Sequence, residues 1–238
     1  MPFPGFPPEA ITFFRGLARN NRREWFQPRK HIFEEQVKRP MLELVERLNA
    51  DLRKFAPEYI TEPEKAVYRI YRDVRFSADK KPYKDHIAAS FHGRGCSNSG
   101  GYYVAMSHQN VAVGGGIYMP SPAELLAIRA AIADRYEELR RILRAAAVRK
   151  LLGDLHGEQL TRTPKGFAAD HPAADLLRFK RFILYVELPP ELATTPKMYT
   201  EVLQRFKAMA PFLNFLRAAA TPKNKRGTDD RFLSSVSF

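Results

Sequence analysis

The chain has 238 residues, 45% of them hydrophobic and 27% charged, and its 39 Lys and Arg against 26 Asp and Glu leave a net charge of +13. No run of about 18 apolar residues is present to span a membrane, the start MPFPGFPPEA lacks the basic and apolar parts of a secretory signal, and the single cysteine, Cys96, rules out an internal disulfide and fits a reducing compartment. The expectation is a cytoplasmic protein with no membrane partner. The basic balance favours anionic partners, although free use of arginine gives the same charge without any site.

Helix signals come first in the chain. Asn21 and Glu24 have the spacing of a capping box, an amide for open backbone N–H groups and a carboxylate reaching back. Trp25 and Phe26 beside them read as core anchors. Val37, Met41, Leu44, Val45, Leu48, Leu52 and Phe55 recur at steps of three and four, one apolar face of a long helix. Pro40 falls inside that pattern and is expected to kink the helix or split it.

The middle of the chain changes character. Residues 86–92 have strand composition, and the runs 102–106 and 111–113 flank Ser107, His108, Gln109 and Asn110 as a hairpin. Ser121, Pro122 and Glu124 then spell a capped helix start. The spacing repeats from Asp134 to Glu137, so two helices are expected there. A fourth strand is predicted over 182–186. Met198, Val202, Phe206 and Met209 mark a C-terminal helix, with Pro211 beginning or kinking its last piece. The expected fold is therefore α+β: an antiparallel sheet of about four or more strands, with N- and C-terminal helices packed on it. Residues 1–220 are expected to form one domain and 221–238 a mobile polar tail.

The densest chemistry lies in residues 68–86, where Tyr68 to Lys84 carry three Arg, three Lys and two Asp. In an extended chain Arg69, Tyr71, Asp73 and Arg75 share a face, and in a helix Arg69, Arg72, Asp73 and Phe76 do. Either way Asp73 reaches at least two guanidiniums and can orient their forks toward a carboxylate or phosphate. The functional reading is an anion site in which Arg69, Arg72, Arg75, Lys80 and Lys84 hold the ligand and Tyr83 donates a hydrogen bond. Tyr83, His86 and Asp73 are the candidates for proton transfer. The competing reading is a set of salt bridges that ties a long loop to the domain.

Other features are weaker. Gly114, Gly115 and Gly116 follow a predicted strand and offer a backbone anion nest or, equally, a bulge. Cys96, in a glycine-rich loop, would need a placed base to act as a nucleophile. His86 and His92 fall on one strand face, but no metal-ligand spacing accompanies them, so neither a metal nor another cofactor is expected.

Asn20-Asn21 with Trp25-Phe26, the block Arg69-x-x-Arg72-Asp73-x-Arg75-Phe76-Ser77-x-Asp79-Lys80-x-Pro82-Tyr83-Lys84, then Gly101-Tyr102-Tyr103 and residues 114–120, resemble a bacterial family known as domain of unknown function 2461. The likeness spans roughly residues 6–216. It implies that the basic block is a family hallmark and names no reaction. The leading expectation is a protein, an enzyme or a binder, for a small phosphorylated or carboxylated ligand. The rivals are a basic nucleic-acid-binding module, with Tyr102, Tyr103 and Tyr118 stacking bases, and an interaction protein without ligand.

Overall fold

The computed structural model describes residues 3–93 and 100–220. The loop with Cys96 and the C-terminal tail expected from the sequence lie outside those residues.

At its centre is a four-stranded antiparallel meander in the order β1 (His86–His92), β2 (Gly100–Ser107), β3 (Val111–Ile117) and β4 (Phe182–Leu188). Its hairpin turn is the expected one. Ser107 donates its N–H to Asn110 O at 2.9 Å, and its Oγ accepts from Gln109 N at 3.0 Å and Asn110 N at 3.1 Å. A polar residue that satisfies the turn's own backbone fixes where the chain reverses.

Four longer helices flank the sheet: α1 (Pro8–Arg19), α2 (Arg39–Phe55), α3 (Pro122–Arg144) and α4 (Lys197–Ala220). Alternation along the strands decides which sheet face they cover. Ile87, Ala89 and Phe91 of β1, Tyr102, Val104 and Met106 of β2, and Val111, Val113 and Ile117 of β3 all belong to the core. Against them lie Met198, Val202, Phe206, Met209 and Leu213 of α4, with Tyr102 stacked on Phe206 at 4.5 Å. Leu44, Val45, Leu48 and Leu52 of α2 join the same cluster. The expected α+β architecture is therefore present, with helices before and after a sheet built from the middle of the chain.

Three local expectations are sharpened. The Ser121 box forms as written, Glu124 N–H to Ser121 Oγ at 3.3 Å and Ser121 N–H to Glu124 Oε2 at 2.8 Å. The second start near Asp134 shows as a kink at Arg135 (φ −128°, ψ 37°) inside α3. Ahead of Pro40 the helix widens to π-type over Phe33–Lys38 and runs without a break into α2 at Arg39, so the wider turn accommodates the proline. Pro211, by contrast, lies within an unbroken α4.

The Asn21–Glu24 box does not form. The short helical turn Arg23–Phe26 has no side-chain cap, because Asn21 is engaged elsewhere. Its Nδ2 donates to Tyr83 O at 2.9 Å and its Oδ1 accepts from Tyr83 N at 3.1 Å. Two bonds to backbone from a distant segment outcompete one local cap.

Candidate functional site

On the sheet face turned away from α4, the side chains are small or aromatic. Strand registers align them in rows. One row runs Ser90, Tyr103, Gly114, Tyr185, and the next runs His92, Gly101, Gly116, Ile183. His156 extends the second row, exchanging two backbone hydrogen bonds with Ile183 at 2.7 and 3.1 Å. Ala88, Ala105 and Ala112, with Tyr103 and Tyr185 packed against them, form a separate small apolar cluster on this side.

Glycines thus make a floor between aromatic walls. Gly116 sits at φ +138°, and a Cβ there would lie 1.9 Å from Phe182 O; at Gly101 a Cβ would meet Phe91 O at the same distance. No side chain fits either place, so the floor stays low and the walls stand over it. The result is a predominantly apolar cavity of about 930 Å³, within the range of small-molecule sites. Tyr68, Tyr103, Tyr118 and Tyr185 line it, with His92, His156, Ser90 and Glu124 among its few polar groups.

Burial sets the protonation of these walls. It pushes the Tyr103 hydroxyl up to about 12, and also Tyr185, whose OH donates to Glu187 Oε1 at 3.0 Å. Both remain neutral hydrogen-bonding groups at physiological pH. Burial lowers His92 from the usual histidine value, so its ring is neutral there as well. Its Nδ1 is buried and, among the described residues, has no hydrogen-bond partner.

Two rim tyrosines carry cations. The Lys84 Nζ lies 5.1 Å from the centre of the Tyr68 ring, and the Arg181 guanidinium 4.5 Å from that of Tyr118. Tyr68 and Tyr118 are exposed, and Tyr68 is pinned by a 2.9 Å hydroxyl contact to Ser90 Oγ.

The residues singled out from the sequence fall elsewhere. The chain at 67–72 runs antiparallel to 82–89: Val67 bridges Ala89, Tyr71 bridges Tyr83, and Arg72 N–H donates to Pro82 O at 2.9 Å. The extended alternative is therefore the one adopted, as an arm leaving the edge of β1. Asp73 holds Arg75 in a two-pronged pair, with Nε at 3.0 Å and Nη2 at 2.7 Å. Arg72 pairs instead with Asp79 at 2.7 Å. Lys80 Nζ donates to Val74 O at 3.1 Å, and Lys84 Nζ to Arg69 O at 2.9 Å.

None of Arg69, Arg72, Asp73, Arg75, Lys80, Tyr83, Lys84 or His86 is among the residues that line the cavity. Tyr83 is buried with its ring stacked 4.2 Å from Phe26, and burial raises its hydroxyl above the ordinary tyrosine value. His86 opens β1, with Nδ1 3.1 Å from Asp85 Oδ1. Gly114, Gly115 and Gly116 lie inside β3, paired with β2 on one side and β4 on the other. Their backbone groups therefore face neighbouring strands rather than a loop nest. Among the described residues, no three His, Cys, Asp or Glu are grouped to hold a metal ion, and no helix is long and apolar enough to cross a membrane.

Sequence reasoning missed Ser90, Tyr185, His156 and Glu124 as cavity residues, and considered His92 only to set a metal site aside. One signal was available. With period two, Ala88 and Ser90, Gly101 and Ala105, and Ala112, Gly114 and Gly116 put small residues on one face of three strands, interrupted only by Tyr103 and by His86 and His92 at the ends of β1.

A family model described as conserved hypothetical protein (DUF2461) matches residues 9–215. No curated protein and no solved structure gives a match.

Proposed function

The chain belongs to the DUF2461 family, and on that footing we propose that it binds a small organic anion with an apolar, flat body. The body lies on the glycine floor between the Tyr103 and Tyr185 rings. Its anionic group points to the rim, where Lys84 and Arg181 stand on Tyr68 and Tyr118. The observation that carries this reading is the tyrosine-walled cavity of about 930 Å³ on the glycine floor of the sheet.

The physical case rests on matching. Flat rings gain from stacking on tyrosine, and the small floor residues let them approach closely. The few polar groups fix orientation, as is usual in such cavities. A carboxylate or phosphate at the rim gains from Lys84 and Arg181 without carrying its charge into the apolar interior. Arg72 and Arg75, already paired with Asp79 and Asp73, are not needed for it.

The test is a thermal-shift series with aromatic carboxylates and aryl phosphates, with inorganic phosphate as the body-free control. A ligand at a hundredfold its Kd stabilises by about 2.7 kcal/mol, which is about 5–11 °C for a chain of this size. Ser90→Trp, which fills the floor, should abolish the shift, and Arg72→Ala with Arg75→Ala should leave it intact. If instead the paired arginine variant loses the shift and Ser90→Trp keeps it, the ligand sits on the arm and the cavity reading fails.

A further inference from the structure

The arm that carries the basic block is built unlike the rest of the molecule. Its two limbs are joined at the base by the Tyr71–Tyr83 bridge and the Arg72–Pro82 bond. Further out they are joined only through polar contacts, Arg72 to Asp79 and Lys80 to Val74 O, and Ser77 N–H to Val74 O at 3.4 Å closes the tip. Between residues 72 and 81 no side chain is buried. The arm's largest apolar group, Phe76 at the tip, is 97% exposed. Within the arm, the ring's contact is with the Arg75 guanidinium, 5.9 Å from its centre.

Charge along the arm is equally one-sided. Asp73 and Asp79 are answered by Arg75 and Arg72. Arg69, Lys80 and Lys81 remain as exposed cations with no acid paired to them in the arm. A second copy of the chain is a poor occupant, since each copy brings +13 and the two would repel. A polyanion is what the arm complements.

We propose that residues 69–84 form a two-stranded arm that docks in a groove of duplex nucleic acid, with Arg69, Lys80 and Lys81 on phosphates and the Phe76 ring against the base edges. The shape argument favours this over an acidic protein. Two antiparallel limbs, held at their base by the Tyr71–Tyr83 bridge and the Arg72–Pro82 bond, make a slender element of the kind a major groove of about 12 Å admits. An exposed phenyl ring at the end of such an element gains apolar contact with thymine methyl groups on the base edges of that groove. Acidic protein surfaces offer the charge but no base edges for Phe76. Arg69, Phe76, Lys80 and Lys81, on which this proposal rests, do not line the cavity, so either proposal can fail alone.

The experiment is fluorescence anisotropy of a short mixed-sequence DNA duplex with the full chain, titrated over a salt series. In the parent, binding should weaken steeply as salt rises. Replacing Arg69, Lys80 and Lys81 by Ala should flatten the log–log salt slope by about 2.7, three phosphate contacts at about 0.9 each. Phe76→Ser should weaken binding by about fivefold or more, the loss of one ring-to-base contact, with the slope unchanged. Unchanged melting of both variants confirms that the fold is intact, as exposure of these side chains predicts. No binding by the parent at low salt overturns the proposal. So does a triple variant that keeps the parent's slope. If polyglutamate competes as well as unlabelled duplex, the partner is an acidic polypeptide and the nucleic-acid assignment falls.

Discussion

The arm and the sheet-face cavity are a pair of opposites. The arm holds its charges in one short stretch of chain, at residues 69–84, and presents them to solvent on limbs with no buried side chain beyond the base. The cavity draws Tyr68, Ser90, His92, Gly101, Tyr103, Gly114, Tyr118, His156 and Tyr185 from widely spaced parts of the chain. Clustering along the sequence and convergence in space are different properties. Arginines two or three residues apart in an extended chain are more readily satisfied by nearby aspartates than by a shared guest, as Arg72 and Arg75 are. Concavity needs residues that leave room, and those are the chemically quiet ones: glycine, alanine and serine.

The sharpest test of that contrast lies within the basic block, where Tyr83 and Arg75 stand eight positions apart. Tyr83 is 1% exposed and stacked on Phe26, so Tyr83→Ala removes an aromatic side chain from a packed site. The expected loss is about 3–5 kcal/mol by chemical denaturation. Arg75→Ala removes a side chain that is 77% exposed and paired only with its neighbour Asp73, and no measurable loss is expected. Equal effects would break the division into a buried anchor and a free limb. Asn21→Ala, which cuts both amide bonds to Tyr83, should fall between them, at about 1–2 kcal/mol.

A second, somewhat smaller effect belongs to the cavity floor. Gly116→Ala places a Cβ 1.9 Å from Phe182 O at a backbone angle of φ +138°. Strain and displacement together should cost about 2–3 kcal/mol. Gly153→Ala is the control: its φ is +77°, but nothing lies within 4 Å of the added atom, so only the backbone strain of about 1 kcal/mol remains. If the two substitutions cost the same, close approach of strands is not what makes the floor.

How much of this was legible in the sequence follows from range. The Ser107–Asn110 turn, the Ser121–Glu124 cap and the apolar face from Val37 to Leu52 are local patterns, and each appears where it was read. The Asp73–Arg75 pair was also within reach, since the extended alternative put both residues on one face. The cavity was not legible because it depends on register. His92 opposes Gly101, Gly101 opposes Gly116, and Gly116 opposes Ile183, and no spacing in the chain states those pairings. The Asn21 expectation failed for the same reason: its true partner, Tyr83, lies 62 residues away.

The smallest effect separates the two regions by pH. Burial lowers His92 in the folded protein, so the unfolded chain takes up a proton at a higher pH than the folded one does. The unfolded state then binds more protons between the two values, and stability falls as pH drops through the ordinary histidine range, while above that range the group contributes no slope. His92→Gln keeps a polar side chain but cannot titrate, so the stability of that variant should stay flatter than the parent's as the solution is acidified. Parent and variant with the same acid slope would mean that the histidine is hydrated rather than buried. The cavity wall would then be as open to water as the arm is, and the contrast between the two regions would reduce to one of charge.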